Sequence, residues 1–371
     1  MFLVPLFLKK FLVPLFLKKR CKIDFYRLKS KKISKFAWHP RYIQHPNMSI
    51  FAKTVTAEVF ATTRGISAIP TVSLEKVAQI FQVSSVGNEF GNPSSGLVDV
   101  PADVLTQTCS ATVSSDDVVD DIETRPEWQG WTVSRSDNPS VKLCLCTDFK
   151  AEWVEPMERG EVEFKNSDGS MVYAPAFVTE SPSAFLPGTG EAVYTYYVYR
   201  SSTVFTLYYN NGAMMQFIKP NKGVDIVGPK NTGVYTQLFD EINNGQKLDY
   251  LDPGNIVIPC FKVPEQKVSL LDHLSKFPSL FNRDGSFLRK MLTDPKSMAH
   301  LERFDLTTSL TVDEKGTQFS SMMEADVDIE RGGSCKVDFI LDSAFLWRIV
   351  HTSRADRTNT VLVSGIVTDL D

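Results

Sequence analysis

Histidine is scarce in this chain: five in 371 residues, at positions 39, 45, 273, 300 and 351. That leaves little material for acid–base chemistry, which histidine performs more often than any other side chain. The motifs of common enzymes are missing too: no Gly-x-Ser-x-Gly elbow, no His-Glu-x-x-His helix, no phosphate loop and no dinucleotide fingerprint. A triad assembled only in space lies beyond motif reading. His273 stands on an amphipathic segment and reads as a surface or satisfied core residue. The six cysteines, at 21, 109, 144, 146, 260 and 335, lack metal spacing, since Cys144-Leu-Cys146 is C-x-C and no finger-spaced pair follows. Cys144 and Cys146 would share one side of a strand, where cysteine usually serves as a small apolar filler. No apolar run approaches the ~20 residues of a membrane-spanning helix. An enzyme is the class these absences disfavour most, and no cofactor or metal is expected.

What is present is a chain long enough for a large core, with 43% hydrophobic and 23% charged residues, a balance typical of globular proteins. The formal charge of −4 is unevenly spread. Residues 1–46 carry 12 Lys+Arg against the single acid Asp24, a net of +11; the remainder has 28 basic against 43 acidic residues, a net of −15. The basic residues cluster in a tail with no nucleic-acid-binding module, so no nucleic-acid partner is expected. Phe2-Leu-Val-Pro-Leu-Phe-Leu-Lys-Lys10 is repeated unchanged at 11–19. Pro5 and Pro14 interrupt its short apolar runs, and no basic residue precedes them as in a secretion signal. Residues 1–46 read as a basic extension, a degenerate signal or a misassigned start, with at most one helix near 23–33. Residues 47–371 read as one domain. Asn47-Met-Ser49 is a glycosylation sequon, relevant in a secreted protein.

Periodicity predicts a strand over 49–56 followed by a helix over 57–66, and a second helix over 74–83. Residues 84–139 are rich in Ser, Gly, Asn, Asp and Pro and read as irregular. Strands follow over 141–149 and 192–200. A hairpin is expected around Asn210-Asn-Gly212, because Asn-Gly between apolar runs is a strong turn signal. Helices are predicted over 236–243 and 268–277, and a strand over 301–312.

From Thr317 to Ile329 the odd positions are Thr, Phe, Ser, Met, Ala, Val and Ile, none charged. The even positions from Gln318 to Glu330 are Gln, Ser, Met, Glu, Asp, Asp and Glu, with Met322 alone breaking the polar row. Such alternation describes a strand with one buried face. Gly316 and the Gly332-Gly333 pair bound it, so both ends can swing. An ordinary long edge strand and a conditional strand, exposed until it can pair, both fit.

Val312-Asp-Glu-Lys-Gly-Thr317 resembles the proximal hinge of the serpins, suicide inhibitors of serine proteases. Phe149-Lys-Ala-Glu-Trp153-Val-Glu-Pro156 looks like that family's Phe-Lys-x-x-Trp-x-x-Pro signature. Phe339-Ile-Leu-Asp-Ser-Ala-Phe-Leu-Trp-Arg-Ile349 and Thr358-Asn-Thr-Val-Leu-Val-Ser-Gly-Ile-Val367 resemble its closing strands. The resemblance is dense from 141 onward and thin before it, with 84–139 visibly shortened. It implies an α+β fold with a large mixed sheet, two further sheets, peripheral helices and a reactive-centre loop over 316–334. It further implies a monomer whose loop is cut by a protease and then inserts as a new strand, dragging the acyl-enzyme along.

Counting forward from Glu314 at family spacing puts the cut after Glu330; counting back from Phe339 puts it after Arg331. The bond between Arg331 and Gly332 is preferred, since arginine fits the acidic pocket of trypsin-like proteases. Glu314, Gly316, Thr317 and Phe319 would form the hinge, and Trp153, Leu145, Leu306 and Cys260 the region where the sheet opens. Here the chain departs from the family. Leu145 and Leu306 replace a hydrogen-bonded Asn and His, and Cys260 removes the cation expected to pair with Glu314. Phe319, Met322 and Met323 are bulky where small residues are favoured. The resemblance implies secretion, with a cytoplasmic location as the alternative, and leaves a non-inhibitory protein on the same scaffold as the competing function.

Overall fold

The computed structural model describes residues 48–91, 100–155, 157–180, 193–244, 249–250, 253–282, 287–294, 296–318, 337–353 and 359–371. In chain order, α1 (Ile50–Thr62) leads to β1 (Ile66–Ile69) and α2 (Thr71–Ser84). β2 (Thr106–Ser114), β3 (Trp131–Ser136), β4 (Val141–Asp148) and β5 (Lys150–Glu152) follow, then the hairpin of β6 (Glu158–Lys165) and β7 (Met171–Glu180). Next come β8 (Tyr194–Val198), β9 (Ser202–Tyr208), β10 (Ala213–Pro220) and α3 (Thr232–Asn244). β11 (Asp249–Tyr250), β12 (Pro253–Pro259), β13 (Phe261–Ser269), β14 (Asp305–Asp313) and β15 (Gly316–Gln318) lead to the closing strands β16 (Val337–Ile340), β17 (Phe345–Thr352) and β18 (Asn359–Val367).

These strands make four hydrogen-bonded sheets. The largest has seven strands in the order β1-β18-β17-β10-β9-β8-β11. Two have four, β16-β12-β7-β6 and β13-β14-β15-β5, and one has three, β3-β2-β4. β17 and β18 are buried along almost their whole length, because the seven-stranded sheet is covered on both faces and such strands read as continuous apolar runs. One face packs against α1, α2 and α3 through Phe51, Phe60, Val204, Ile218, Leu238 and Leu346. The other packs against the two four-stranded sheets through Phe164, Phe177, Phe205, Ile258 and Trp347, while the three-stranded sheet lays its inward residues Ala111, Val113, Leu143 and Leu145 on the helix-side core. Gly365 lies opposite Trp347 in the ladder, and a Cβ there would sit 2.1 Å from the indole. Among the described residues, no helix is long and apolar enough to cross a membrane.

The Asn-Gly hairpin forms as expected, with β9 and β10 paired and Gly212 at φ +84°. The strand expected over 49–56 is instead the first half of α1. Ser49 caps that helix by accepting a hydrogen bond from Ala52 N, and eight of its residues are buried, from Phe51 to Ala61. A helix wrapped by core loses the polar stripe that would have marked its 3.6-residue period. The helix expected over 268–277 is also replaced: Val268 and Ser269 end β13, and Leu271–His273 is a 3₁₀ turn. Pairing with β14 claims those residues. Within 100–139, read as irregular, β2 and β3 are regular strands. Only Cys109, Ala111 and Val113 face inward from β2, too short an apolar set to stand out among serines and threonines.

Candidate functional site

β14 delivers the chain to a tight reversal. Asp313 Oδ1 accepts hydrogen bonds from Lys315 N (2.9 Å) and Gly316 N (3.2 Å), closing an Asx-type turn. β15 then runs back between two neighbours. It pairs antiparallel with β14, Val312 opposite Thr317, and with β5, Ala151 opposite Thr317. Gly316 is required here by close approach as well as by its φ of +156°: a Cβ would stand 2.3 Å from Ala151 O and 2.7 Å from Glu152 Cα. The residue expected to be a free pivot is pressed against a strand.

Thr317 is fully buried, and its hydroxyl meets Tyr209 Oη at 2.5 Å. Burial holds the Tyr209 phenol well above its usual pKa, so it stays a neutral donor. The Tyr209 ring stacks on Trp153 at 4.4 Å between centroids and 13° between planes. Trp153 in turn donates from Nε1 to Asp313 O at 2.9 Å and from its backbone N to Lys315 O at 2.9 Å. Trp153 thus braces both sides of the reversal. Tyr209 itself is held to the edge of β5, because Asn210 N donates to Glu152 O and Val154 N to Tyr208 O.

Glu314 retains a cation, though from another element. Arg159 of β6 places Nε 2.7 Å from Glu314 Oε1. Loss of lysine at position 260 therefore leaves no bare carboxylate. Cys260 lies beside this pair; burial first, then the charges of Glu314 and Asp313, push its thiol up to about 12. It is not a nucleophile near neutral pH.

Leu145 and Leu306 are both half-buried and pack against the helix-side core, so two apolar groups occupy the positions of the expected polar pair. β5 continues the line of β4 past Phe149. Among the described residues, β4 pairs only with β2, and β14 pairs only with β13 and β15. β15 itself is flanked by β14 on one side and by β5 on the other. Phe319, Glu330, Arg331, Gly332 and Asn47 lie outside the described residues, as does the alternating segment beyond Gln318.

Sequence reasoning missed Tyr209 and Arg159. Tyr209 abuts the Asn-Gly hairpin turn, which was a signal that its side chain sits at a strand end. Arg159 had none, being remote in sequence from Glu314. His273, in its 3₁₀ turn, is distant in the chain from all of these groups.

Comparison with known proteins is consistent with this geometry. A family model described as serpin (serine protease inhibitor) matches residues 134–370. A search of curated proteins returns no match. Among solved structures, the thermophilic serpin tengpin in its native state is similar, with a TM-score of 0.64 at 14% identity over 93% of this chain and 98% of its own. A highly specific serpin of the insect Tenebrio molitor gives 0.62 at 14% identity, covering 86% of this chain and 96% of its own. Thyroxine-binding globulin in complex with thyroxine gives 0.59 at 13%, covering 86% and 97%. At such identities the structures speak for the fold, which is the α+β architecture expected, while the family model covers well over half of the sequence. The chain belongs to the serpin family, whose members are generally non-enzymatic inhibitors of proteases.

Proposed function

We propose that this serpin inhibits a trypsin-like serine protease as a suicide substrate. A protease would cut the bond between Arg331 and Gly332, or between Glu330 and Arg331, and the freed segment would continue β15 between β14 and β4. The observation that carries this reading is the seating of Gly316, Thr317 and Gln318, three residues paired on both sides, with β14 and with β5. They are the start of an added strand already in register. The residues that follow alternate so that each odd side chain would face the core.

The energetics favour insertion once the chain is cut. About 15 residues at ~3.3 Å each span roughly 50 Å. Burial of the inward set gives an upper bound on the order of 10 kcal/mol. Bulk at Phe319 and Met323 would cost ~1–3 kcal/mol in overpacking, which slows insertion without reversing it.

The competing reading is a non-inhibitory protein on the same scaffold. It is favoured by the bulk of Phe319, Met322 and Met323 and by the shortened stretch over 84–139. Thyroxine-binding globulin, of this fold, is found in complex with thyroxine. A monomer with its serpin domain over 47–371, preceded by a basic extension over 1–46 and acting outside the cell, completes the proposal.

Incubation with trypsin separates the two readings. An inhibitor gives an SDS-stable complex, a new N-terminus at Gly332 or Arg331, and a cleaved form with raised melting temperature. Clean cleavage there with neither complex nor stabilisation would leave a non-inhibitory binding or structural protein on the same scaffold.

A further inference from the structure

The three-stranded sheet turns an unusual face to solvent. Alternate residues of β4 point outward, and Lys142, Cys144, Cys146 and Asp148 are all exposed. Their cross-strand partners on β2 are Thr112, Ser110, Thr108 and Thr106, and Thr132 of β3 lies beyond Ser110. The other face of β4, with Val141, Leu143 and Leu145, packs against the core. Cys144 and Cys146 are therefore not apolar filler, as their spacing had implied, but free thiols standing side by side among small hydroxyl groups. Cysteine is among the most buried residue types, so two on the wet face of one strand call for a chemical explanation.

A disulfide is a poor fit. Residues two apart on a strand are separated by roughly 6.6 Å along its axis, whereas bridged Cβ atoms lie ~3.8 Å apart. Closing that gap would pinch β4 and break its ladder to β2. A linear sulfur–metal–sulfur bridge needs a sulfur separation of roughly 4.6 Å, twice a ~2.3 Å metal–thiolate bond. Two side chains leaning toward each other on a straight strand can supply it. Among the described residues, no group of three or more His, Cys, Asp or Glu is placed to hold an ion, so the pair offers two ligands and no tetrahedral set.

We propose that Cys144 and Cys146 form a two-thiolate site for a soft monovalent d¹⁰ ion of the copper(I) type. Soft thiolates select such ions over the harder divalent metals. In binding, two S–H bonds break, two Cu–S bonds form, two protons pass to solvent and no electron is transferred. The resulting bis-thiolate carries one negative charge, with Lys142 beside it on the same face and Asp148 opposing it at the far end. Both ligands bind as thiolates, so copper displaces their protons and affinity falls as pH is lowered. This inference is independent of protease inhibition.

The test uses the full chain with Cys21→Ser and Cys335→Ser, two thiols outside the described residues. The reduced protein is titrated anaerobically with copper(I) against a bicinchoninate competitor. One ion per chain with two sulfur neighbours by X-ray absorption is expected. Supporting residues around metals are worth roughly 10–100-fold in affinity, so loss of a ligand itself through Cys144→Ser or Cys146→Ser should exceed about a hundredfold. In the unsubstituted chain, copper should shield both residues from iodoacetamide, as mapped by mass spectrometry. Unchanged affinity when Cys144→Ser and Cys146→Ser are combined in that background, three or more sulfur neighbours, or alkylation indifferent to copper would each overturn the proposal. So would ready closure of a Cys144–Cys146 disulfide by glutathione disulfide, which would show that the strand pinches after all.

Discussion

Tyr209 and Thr317, 108 residues apart in sequence, share a buried hydrogen bond of 2.5 Å at the point where the hinge enters the sheet. The threonine is the first inward-facing residue of the alternating segment, so this contact fixes the register from which any further insertion would proceed. Met215 Sδ lies 3.3 Å from the same phenol, and the Trp153 ring covers it. The phenol has no solvent to turn to.

Tyr209→Phe removes one partner and leaves the Thr317 hydroxyl buried, which should cost about 1–3 kcal/mol. Thr317→Val should cost a similar amount by stranding the phenol. The double variant deletes both partners and should recover much of the loss, because an apolar pair of the same shape is nearly neutral. Urea unfolding of the four proteins in a double-mutant cycle reads the coupling. Additive losses would mean that the two hydroxyls are not paired in solution.

Gly316→Ala should act locally. Its methyl group cannot coexist with Ala151 O at 2.3 Å, and the cheapest relief is to withdraw β15 from between β14 and β5. Amide hydrogen exchange at Thr317 and Gln318 should rise by orders of magnitude, while Ile349 and Val363 in the seven-stranded sheet keep their protection. Loss of protection throughout the molecule would instead make Gly316 a residue of global stability.

Much of this site was legible in the sequence because its signals are local. Asp313 to Thr317 is a contiguous hinge, Trp153 belongs to a short signature, and Asn-Gly dictates a turn. The misreadings share a different cause. In α1 the β-branched run at Thr54, Val55 and Thr56 imitates a strand, and only tertiary burial and the Ser49 cap decide otherwise. β2 hides its three inward residues among hydroxyls. Arg159 and Tyr209 act across sheets, where no spacing rule reaches. Phe319 and Arg331, which the reading of function uses most heavily, lie beyond the described residues and rest on alternation and resemblance.

Glu75 predicts a pH dependence. It is buried on α2, accepts a 2.7 Å hydrogen bond from Ser49 N, and keeps Oε2 buried without a partner. Burial pushes its carboxyl from an ordinary 4.5 up to about 7, against the opposing pull of Ser49 and Lys53. The folded state thus holds a proton that the unfolded state has released. Stability from this group is complete below pH 4.5 and declines as pH rises through about 7, by an amount on the order of 3 kcal/mol. Melting temperature followed from pH 4.5 to 8 should fall across that window, and Glu75→Gln, which stays neutral, should flatten the fall. An equal fall in both proteins would place the titration elsewhere.

Glu314 makes the strongest test of how this serpin rebuilt its hinge. Its side chain is 12% exposed and that of Arg159 is 67% exposed. Solvent screening limits such a pair to about 0.2–1 kcal/mol in the usual case. Arg159→Ala should nonetheless fall at or just above the top of that range, because it leaves an almost buried carboxylate without a cation. Cys260→Lys alone should be neutral or destabilising, since Arg159 already occupies the carboxylate and the new ammonium must be desolvated. In the Arg159→Ala background the same lysine has a free partner within the cluster that surrounds Cys260. The double variant should therefore be more stable than Arg159→Ala by several tenths of a kcal/mol to about 1 kcal/mol. The measurement is unfolding free energy by urea at low and high salt, with the rescue shrinking as salt is raised. If Cys260→Lys destabilises both backgrounds equally, the cation at Glu314 has not simply moved from one element to another, and the reversal is held by the Asp313 carboxylate and Trp153 without help from an ion pair.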